Sequence, residues 1–393
     1  MILTGLHDKF DMAKRTLILT LPPMTIGGVS AKARLLACEL TAAGHDVTMA
    51  YYRVPGSKLK TDKVFGDFRC TEITSRAPWL EQSYTASSTQ WRDAIAGHDR
   101  HIAVGGTVLI AHPLACMGVR HFVWCAADLA GDRGFRRDAM SAWRRCIDAS
   151  FVAPALIRQQ DAVLSANNKI YGVSRDTVRR LVALSPARAE DIDCLPIPVD
   201  ADFFRPDEDK IKKMRIGFAG RLDDPRKNAP LLFAALGAVR KRGCNATLVV
   251  TGVPTPELLA LAELSNVKDH IEFAGVLKRE ELRDFYQSLS IFIITSFQEG
   301  LAIAGLEAMA CGVPVVSTDC GGPADYVVDG ETGYLTSFDV DAMADGVIRI
   351  LNQPELSARM RKSARQLINS EFAMAQFRPQ LSQVWQETWS EAL

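Results

Sequence analysis

The chain has 393 residues, enough for two domains of ordinary size. Its 46 basic and 46 acidic side chains balance, which argues against nucleic acid or another polyanion as a general partner. The sequence contains no apolar run of membrane-spanning length and does not begin like a signal peptide, so a cytoplasmic protein is expected.

The first part of the chain predicts a strand–helix–strand unit. Arg15–Leu21 has the pattern of a strand, a helix follows and stops at Gly44, and His45–Arg53 alternates as a second strand. This order is typical of a parallel sheet. Gly27 and Gly28 precede the helix, where they either let the backbone approach a phosphate or sugar or simply form a tight turn.

Four more strands are expected in the first half, at Arg69–Ile73, His101–Val104, His121–Ala127 and Lys169–Ser174. Asp128 directly follows the third of these. Open α/β sheets place ligand contacts at the carboxyl ends of their strands, so Asp128 is a candidate site residue.

The segment Asp132–Arg145 contains five arginines, with Phe135 and Trp143 between them. Such a segment suits an anionic acceptor or peripheral contact with a membrane. The alternative is a solvated helix face.

A proline-rich stretch, Cys194–Pro206, is unsuited to a central strand or a helix and is interpreted as an interdomain crossing. It predicts one domain over 1–198 and a second over 199–371, with a C-terminal helix at about 372–393 returning to the first. Asp200 and Asp202 lie in this crossing, where they are more typical of turns and caps than of a metal site. Nine cysteines without a Cys-x-x-Cys pair predict reduced thiols and disfavour structural zinc.

The strand Arg215–Gly220 opens a second series of strands and helices and leads into a cationic loop. The basic residues of this loop are Arg221, Arg226 and Lys227. Because Asn228 is placed to cap the next helix, these cations lie at a helix start and suit a diphosphate. The alternative is that they form salt bridges to Asp223 and Asp224.

Two carboxylates, Glu299 and Glu307, lie at a later predicted strand-to-helix turn. The apolar run Leu289–Thr295 predicts a buried strand, and helical spacing resumes at Ile303. Two acceptors beside free backbone N–H groups suit a ligand rich in hydroxyls and phosphate. The alternative is one surface glutamate and one glutamate paired with an arginine.

Taken together, these features resemble the retaining glycosyltransferases of family 4. That family implies an α/β fold of two Rossmann-like domains whose parallel sheets face across a cleft, the GT-B fold. The matching motifs are Pro198-Val-Asp200, Phe204, Pro206, Gly220-Arg-Leu222, Lys227, Phe273-x-Gly275, Glu299-x7-Glu307 with its continuation to Val316, Gly321-Gly322 and Gly330-x-x-Gly333.

The resemblance implies a role for each matching residue. Arg221 and Lys227 would neutralise a donor diphosphate, and Glu299 would bind hydroxyls of the transferred sugar. Further contacts would come from the N–H groups of Gly300 and Leu301, from Glu307 to the ribose, and from the backbone of Val276 and Leu277 beside the base.

The chain departs from the family pattern at several places. Glu299-Gly-Leu-Ala302 replaces the common Glu-Gly-Phe-Gly, which alters the sugar pocket at Ala302. Arg221 and Lys227 are one residue further apart than usual, which makes Arg226 an alternative to the lysine. Many members carry a histidine where this chain has Asp128.

The expected function is metal-independent transfer of a hexose from a UDP- or GDP-linked donor, for example in cell-envelope or polysaccharide synthesis. The acceptor classes are a glycan, a lipid-linked sugar or a small molecule, and neither the acceptor nor an oligomeric state follows from the sequence. The alternatives are a non-catalytic nucleotide-sugar binder and a nicotinamide-dependent oxidoreductase. The oxidoreductase hypothesis is disfavoured, because the sequence has no Gly-x-Gly-x-x-Gly motif after the first strand.

Overall fold

The computed structural model describes residues 14–23, 27–54, 56, 61–75, 77–138 and 140–393. The chain divides into two compact units. The first comprises Met1–Trp124, Ala142–Ile170 and Trp385–Leu393, and the second comprises Cys125–Ser141 and Tyr171–Val384. The domain limits expected at 198 and 371 stay a prediction.

The described residues form strands and helices in alternation. The strands are β1 (Arg15–Thr20), β2 (Asp46–Tyr52), β3 (Arg69–Ile73), β4 (Arg100–Gly105), β5 (His121–Cys125), β6 (Lys169–Gly172), β7 (Ile192–Cys194), β8 (Arg215–Phe218), β9 (Thr247–Val250), β10 (Ile271–Phe273), β11 (Ile291–Ile294), β12 (Val315–Thr318) and β13 (Gly333–Thr336). The helices are α1 (Gly28–Ala42), α2 (Thr61–Val64), α3 (Thr89–Ala96), α4 (His112–Met117), α5 (Leu129–Asp138), α6 (Ala142–Ile147), α7 (Ala153–Ser165), α8 (Arg175–Leu184), α9 (Ala229–Lys241), α10 (Pro256–Leu264), α11 (Arg279–Gln287), α12 (Ile303–Ala310), α13 (Val340–Asn352), α14 (Pro354–Leu367) and α15 (Met374–Trp389).

The seven-stranded sheet has the order β3-β2-β1-β4-β5-β6-β7. β1 pairs in parallel with β2 and with β4, so its Leu17, Ile18 and Leu19 are fully buried between the layers on its two faces. The strand order reverses between β1 and β4, which is the switch point of a Rossmann-like sheet.

The six-stranded sheet repeats this arrangement with the order β10-β9-β8-β11-β12-β13. All five of its strand pairings are parallel. In its core, buried strand residues pack against α9 and α13. Asn228 is the N-cap of α9, and Asp339 is the N-cap of α13. The switch point of this sheet lies between β8 and β11. The expectation of two Rossmann-like, parallel-sheet domains is therefore confirmed.

The structure differs from the sequence-based prediction in some element limits. The sequence predicts a single short helix over residues 107–117, whereas the structure has a 3-10 turn at Val108–Ala111 followed by α4. Pro113 lies in the first turn of that helix, a position that proline suits. The sequence also predicts a strand over residues 270–277, but β10 ends at Phe273, since Gly275 takes a positive φ of 72° that breaks the strand.

Candidate functional site

The candidate site lies at the switch point of the six-stranded sheet. Two loops meet there, residues 219–228 after β8 and residues 295–302 after β11. Two hydrogen bonds to backbone carbonyls join them: the Phe297 N–H donates to the Arg226 carbonyl, and the Thr295 hydroxyl donates to the Lys227 carbonyl. The basic loop and the Glu299 loop therefore form one wall.

The basic loop is organised by Asp224. Its carboxylate caps the turn by accepting from the Arg226 N–H at 3.0 Å, and it also accepts from the Arg226 guanidinium at 2.7 Å. Burial acts to raise the pKa of Asp224, but the hydrogen bonds from Arg226 outweigh it and leave that pKa lowered. Arg221 has a looser contact with Asp224 at 3.4 Å, and its side chain is 72% exposed. Arg226 is thus held in place, while Arg221 is available to a ligand.

Lys227 is directed toward the other loop and pairs with Glu299. Its Nζ lies 2.5 Å from Glu299 Oε1, and the same oxygen accepts from the Ser296 hydroxyl at 2.6 Å. Both charged side chains are mostly buried, at 23% and 14% exposed. Water screens such a pair less than it screens a surface pair, so the electrostatic attraction between the two charges is stronger than at the surface.

The backbone of Glu299 is fixed by a glycine turn. The Glu299 N–H donates to the Cys320 carbonyl, and the Gly322 N–H donates back to the Glu299 carbonyl. A Cβ on Gly322 would lie 2.3 Å from the Gly300 carbonyl oxygen, so only glycine allows this approach. The Gly321-Gly322 motif therefore sets the position of Glu299.

The start of α12 has an unusual backbone. Ala302 precedes the helix in the left-handed region, with φ 58° and ψ 66°. Its carbonyl accepts from the buried Tyr326 hydroxyl at 3.0 Å, which helps to hold this conformation. The N–H groups of Gly300 and Leu301 precede the helix start, where backbone donors favour anions and hydroxyl oxygens.

Glu307 lies on α12 among apolar side chains and accepts from the Tyr286 hydroxyl at 2.8 Å. Burial raises the pKa of Glu307 to about 7, although the Tyr286 hydrogen bond and the Arg279 charge act to lower it. Part of the side chain still meets solvent. Tyr286 is completely buried, and its hydroxyl fixes the position of the Glu307 carboxylate.

Asp128 lies just after β5 and is only 6% exposed. Its Oδ2 accepts from the Gly131 N–H at 3.2 Å, whereas Oδ1 has no hydrogen-bond partner among the described residues. The nearest cation is Arg180, at 4.0 Å from Oδ1. A buried carboxylate oxygen without a donor is costly, which favours a ligand that supplies one.

The segment carrying Asp128 packs against the Glu299 loop through two glycines. A Cβ on Gly131 would lie 2.0 Å from the Gln298 side chain, and a Cβ on Gly300 would lie 2.4 Å from the Ala126 carbonyl oxygen. Both belong to the second unit. Asp128 and Glu299 therefore stand on adjoining backbone segments.

The remaining predicted residues lie at different places. Gly220, with φ 146°, begins the basic loop and donates its N–H to Thr251. Val276 is 82% exposed and Leu277 is half-buried after β10, on the same carboxyl edge of the sheet as the other loops. Gly27 and Gly28 start α1 in the first unit; Gly27 is extended and a Cβ there would meet open space.

Sequence reasoning missed Ser296, Tyr286 and Arg180. Ser296 lies three residues before Glu299, a spacing that in hindsight allows its hydroxyl to reach the carboxylate. Tyr286 and Arg180 come from α11 and α8, and no local pattern connects them to the residues they contact.

Among the described residues no group of three or more metal-binding side chains clusters. Nor is any described helix both long and apolar enough to span a membrane.

Comparison with known proteins finds a family match in the second half of the chain. Residues 200–367 match the model of the family "Glycosyl transferases group 1". A GDP-mannose-dependent alpha-(1-6)-phosphatidylinositol monomannoside mannosyltransferase of Mycolicibacterium smegmatis is 34% identical over 215 residues, which cover 49% of this chain and 55% of that protein. A D-inositol 3-phosphate glycosyltransferase of Frankia alni is 27% identical over 231 residues, covering 54% and 57%. The chain thus spans little more than half the length of these curated relatives.

Solved structures match nearly the whole chain. Anabaena HepE in complex with UDP and glucose aligns with a TM-score of 0.75 at 14% identity, covering 95% of this chain and all of that one. Sucrose-phosphate synthase of Thermosynechococcus elongatus aligns with a TM-score of 0.73 at 19% identity, covering 96% and 99%. The fold is that of the GT-B glycosyltransferases, and residues 200–367 match the glycosyl transferases group 1 family model.

Proposed function

We propose that this protein is a retaining glycosyltransferase that moves a hexose from a UDP- or GDP-linked donor to a hydroxyl of its acceptor. The observation that carries the proposal is the contact of Lys227 Nζ with Glu299 Oε1 at 2.5 Å, at the switch point of the second sheet. It puts a cation suited to a diphosphate next to a carboxylate suited to sugar hydroxyls.

Donor binding breaks the contact between Lys227 and Glu299 and gives each side chain a new partner. Lys227 turns from Glu299 to the diphosphate, and Glu299 then accepts from hydroxyls of the sugar while Ser296 continues to orient it. Arg221 adds a second cation because its exposed side chain is only loosely held. Arg226 remains with Asp224 and adds a fixed positive charge nearby.

The rest of the donor extends along the same edge of the sheet. Glu307 accepts from the ribose hydroxyls, with Tyr286 holding its other side. The backbone at Val276 and Leu277 flanks the base. The N–H groups of Gly300 and Leu301 bind sugar or phosphate oxygens at the start of α12.

In the transfer step the bond between the anomeric carbon and the diphosphate oxygen breaks, and a bond from the same carbon to the acceptor oxygen forms on the same face. The acceptor proton goes to the departing phosphate. Lys227 and Arg221 stabilise the charge that develops on that phosphate. These fixed cations take the part of a metal ion, so metal independence is part of the proposal.

Asp128 completes the sugar pocket. Its unpaired Oδ1 accepts from a hydroxyl of the transferred hexose, at the position where many family members carry a histidine. Replacing it with asparagine keeps the shape but presents a weaker acceptor, so activity should fall while nucleotide binding persists.

The names of relatives support the donor and acceptor classes. Relatives are described as GDP-mannose-dependent, and aligned structures contain UDP or UDP-glucose. The acceptors in those names are inositol phosphate and phosphatidylinositol mannoside. A glycan, a lipid-linked sugar or a small polyol is therefore the proposed acceptor, and Gly27 and Gly28 are the proposed contact in the first unit.

A thermal-shift screen tests the proposal. A donor present at about 100 times its dissociation constant should raise the free energy of unfolding by roughly 2.7 kcal/mol. UDP-glucose, GDP-mannose and NAD(H) are the three arms. Stabilisation by a nucleotide sugar supports the transferase; stabilisation by NAD(H) alone contradicts it and favours an oxidoreductase.

A further inference from the structure

A protruding helix start in the first unit carries features that the donor site does not explain. Residues 142–165 form one continuous helix, in which a π-helical turn, Asp148–Val152, joins α6 to α7 with helical backbone at both junctions. Over residues 142–151, nine of the ten side chains are exposed and only Asp148 is buried. This segment, 142–151, therefore stands away from the body of its unit.

One exposed face of segment 142–151 is apolar. Trp143 is 67% exposed, Ile147 44% and Phe151 68%. Positions four residues apart lie on the same face of a helix, so the three side chains form one stripe. Exposed aromatic stripes of this kind mark interaction surfaces, because leaving such surface in water is unfavourable.

The charges beside this stripe have one sign. Arg144 and Arg145 are exposed, and neither pairs with a carboxylate among the described residues. The one acidic residue of the segment, Asp148, is buried and faces inward. The segment thus combines an apolar stripe with two unpaired cations.

We infer that segment 142–151 docks the protein onto an anionic lipid surface. Trp143 and Phe151 enter the boundary between headgroups and acyl chains, and the two guanidinium groups bind lipid phosphates. A membrane surface suits a helix exposed on almost every side better than a protein groove, which covers one face. The contact is interfacial and independent of the proposed donor site.

Vesicle co-sedimentation tests this inference. The full chain is mixed with vesicles of phosphatidylglycerol and phosphatidylcholine, or of phosphatidylcholine alone. Binding to the anionic vesicles should be the stronger, and Trp143→Ser with Phe151→Ser should weaken it at least tenfold. Trp79→Ser is the matched control, because Trp79 is 78% exposed and lies in the same unit, and it should leave binding unchanged.

The arginines are tested separately. Arg144→Gln with Arg145→Gln should weaken binding to anionic vesicles about fivefold per cation removed and flatten its salt dependence. Equal thermal unfolding of all variants shows that the fold is intact. The inference is overturned if the intact chain does not bind anionic vesicles, or if the double aromatic variant binds them like the parent. Light scattering that shows a dimer lost in that variant, without vesicle binding, would also overturn it and assign the segment to a second copy.

Discussion

Lys227 and Glu299 are 72 residues apart in the sequence, yet the Lys227 ammonium lies 2.5 Å from the Glu299 carboxylate. The contact arises because β8 and β11 are neighbours at the point where strand order reverses. In the proposed function it is a resting pair that a nucleotide sugar separates. Both partners are therefore expected to matter, but for different parts of the ligand.

Glu299→Gln separates binding of the sugar from binding of the nucleotide. The variant should bind UDP-glucose or GDP-mannose at least tenfold more weakly than the parent, because the carboxylate that accepts from the hexose is lost. UDP or GDP alone should bind as well as before, or better, because Lys227 no longer has a competing anion. Fluorescence or calorimetric titration measures both, and equal losses for nucleotide and nucleotide sugar would refute this role.

Glu307 should make the second unit less stable as pH rises. Its pKa is about 7 in the folded protein against 4.5 in the reference state, so it favours folding when protonated. This contribution is complete below pH 4.5 and is lost as pH rises through 7, on the order of 3 kcal/mol in all. Glu307→Gln removes the titration. Denaturant unfolding at pH 5 and pH 8 should show the parent losing stability relative to the variant; parallel changes would show that Glu307 does not titrate in this range.

Glu391 should have the opposite pH dependence. Its carboxylate accepts from Arg100 at 2.6 Å and 2.8 Å and lies 3.0 Å from Lys14, within the first unit. The Arg100 hydrogen bonds lower its pKa to about 2. The stabilisation is present above pH 4.5 and lost as pH falls through 2, and screening limits it to about 1 kcal/mol.

Glu391→Gln is therefore expected to lower the melting temperature at pH 7 by a few degrees. The difference from the parent should shrink toward pH 2. Calorimetric melting across that range measures it, and a difference that stays constant with pH would point to lost packing in place of lost charge.

Ala302→Gly should stabilise the protein. Ala302 has a left-handed backbone that costs a non-glycine residue roughly 1–2 kcal/mol. The greater freedom of glycine in the unfolded chain offsets part of the gain, which leaves about 0.5–1 kcal/mol. Ala304→Gly, at the second residue of α12, is the control and should destabilise slightly, because glycine is a poorer helix former than alanine. Chemical unfolding of both variants decides, and destabilisation by Ala302→Gly would mean that its methyl group packs usefully.

The sequence predicts much of this fold because buried parallel strands produce short β-branched runs such as Ile291–Ile294, and because glycine and asparagine mark the turns. It also predicts the basic loop and the glutamate pair, since both follow strands. Partners from distant elements are not encoded locally: Tyr286 beneath Glu307 and Arg180 near Asp128 depend on how helices pack. The left-handed Ala302 was equally unpredictable, because alanine seldom adopts that conformation.

The central claim is that the basic loop and the Glu299 loop bind a nucleotide sugar. Calorimetric titration with UDP-glucose and GDP-mannose tests it on the parent, Lys227→Ala and the control Lys241→Ala, which changes an exposed lysine at the far end of α9. The account predicts binding of one donor by the parent and the control, and at least a tenfold loss of affinity in Lys227→Ala. Failure of the parent to bind either donor, or equal affinity in all three proteins, would contradict it.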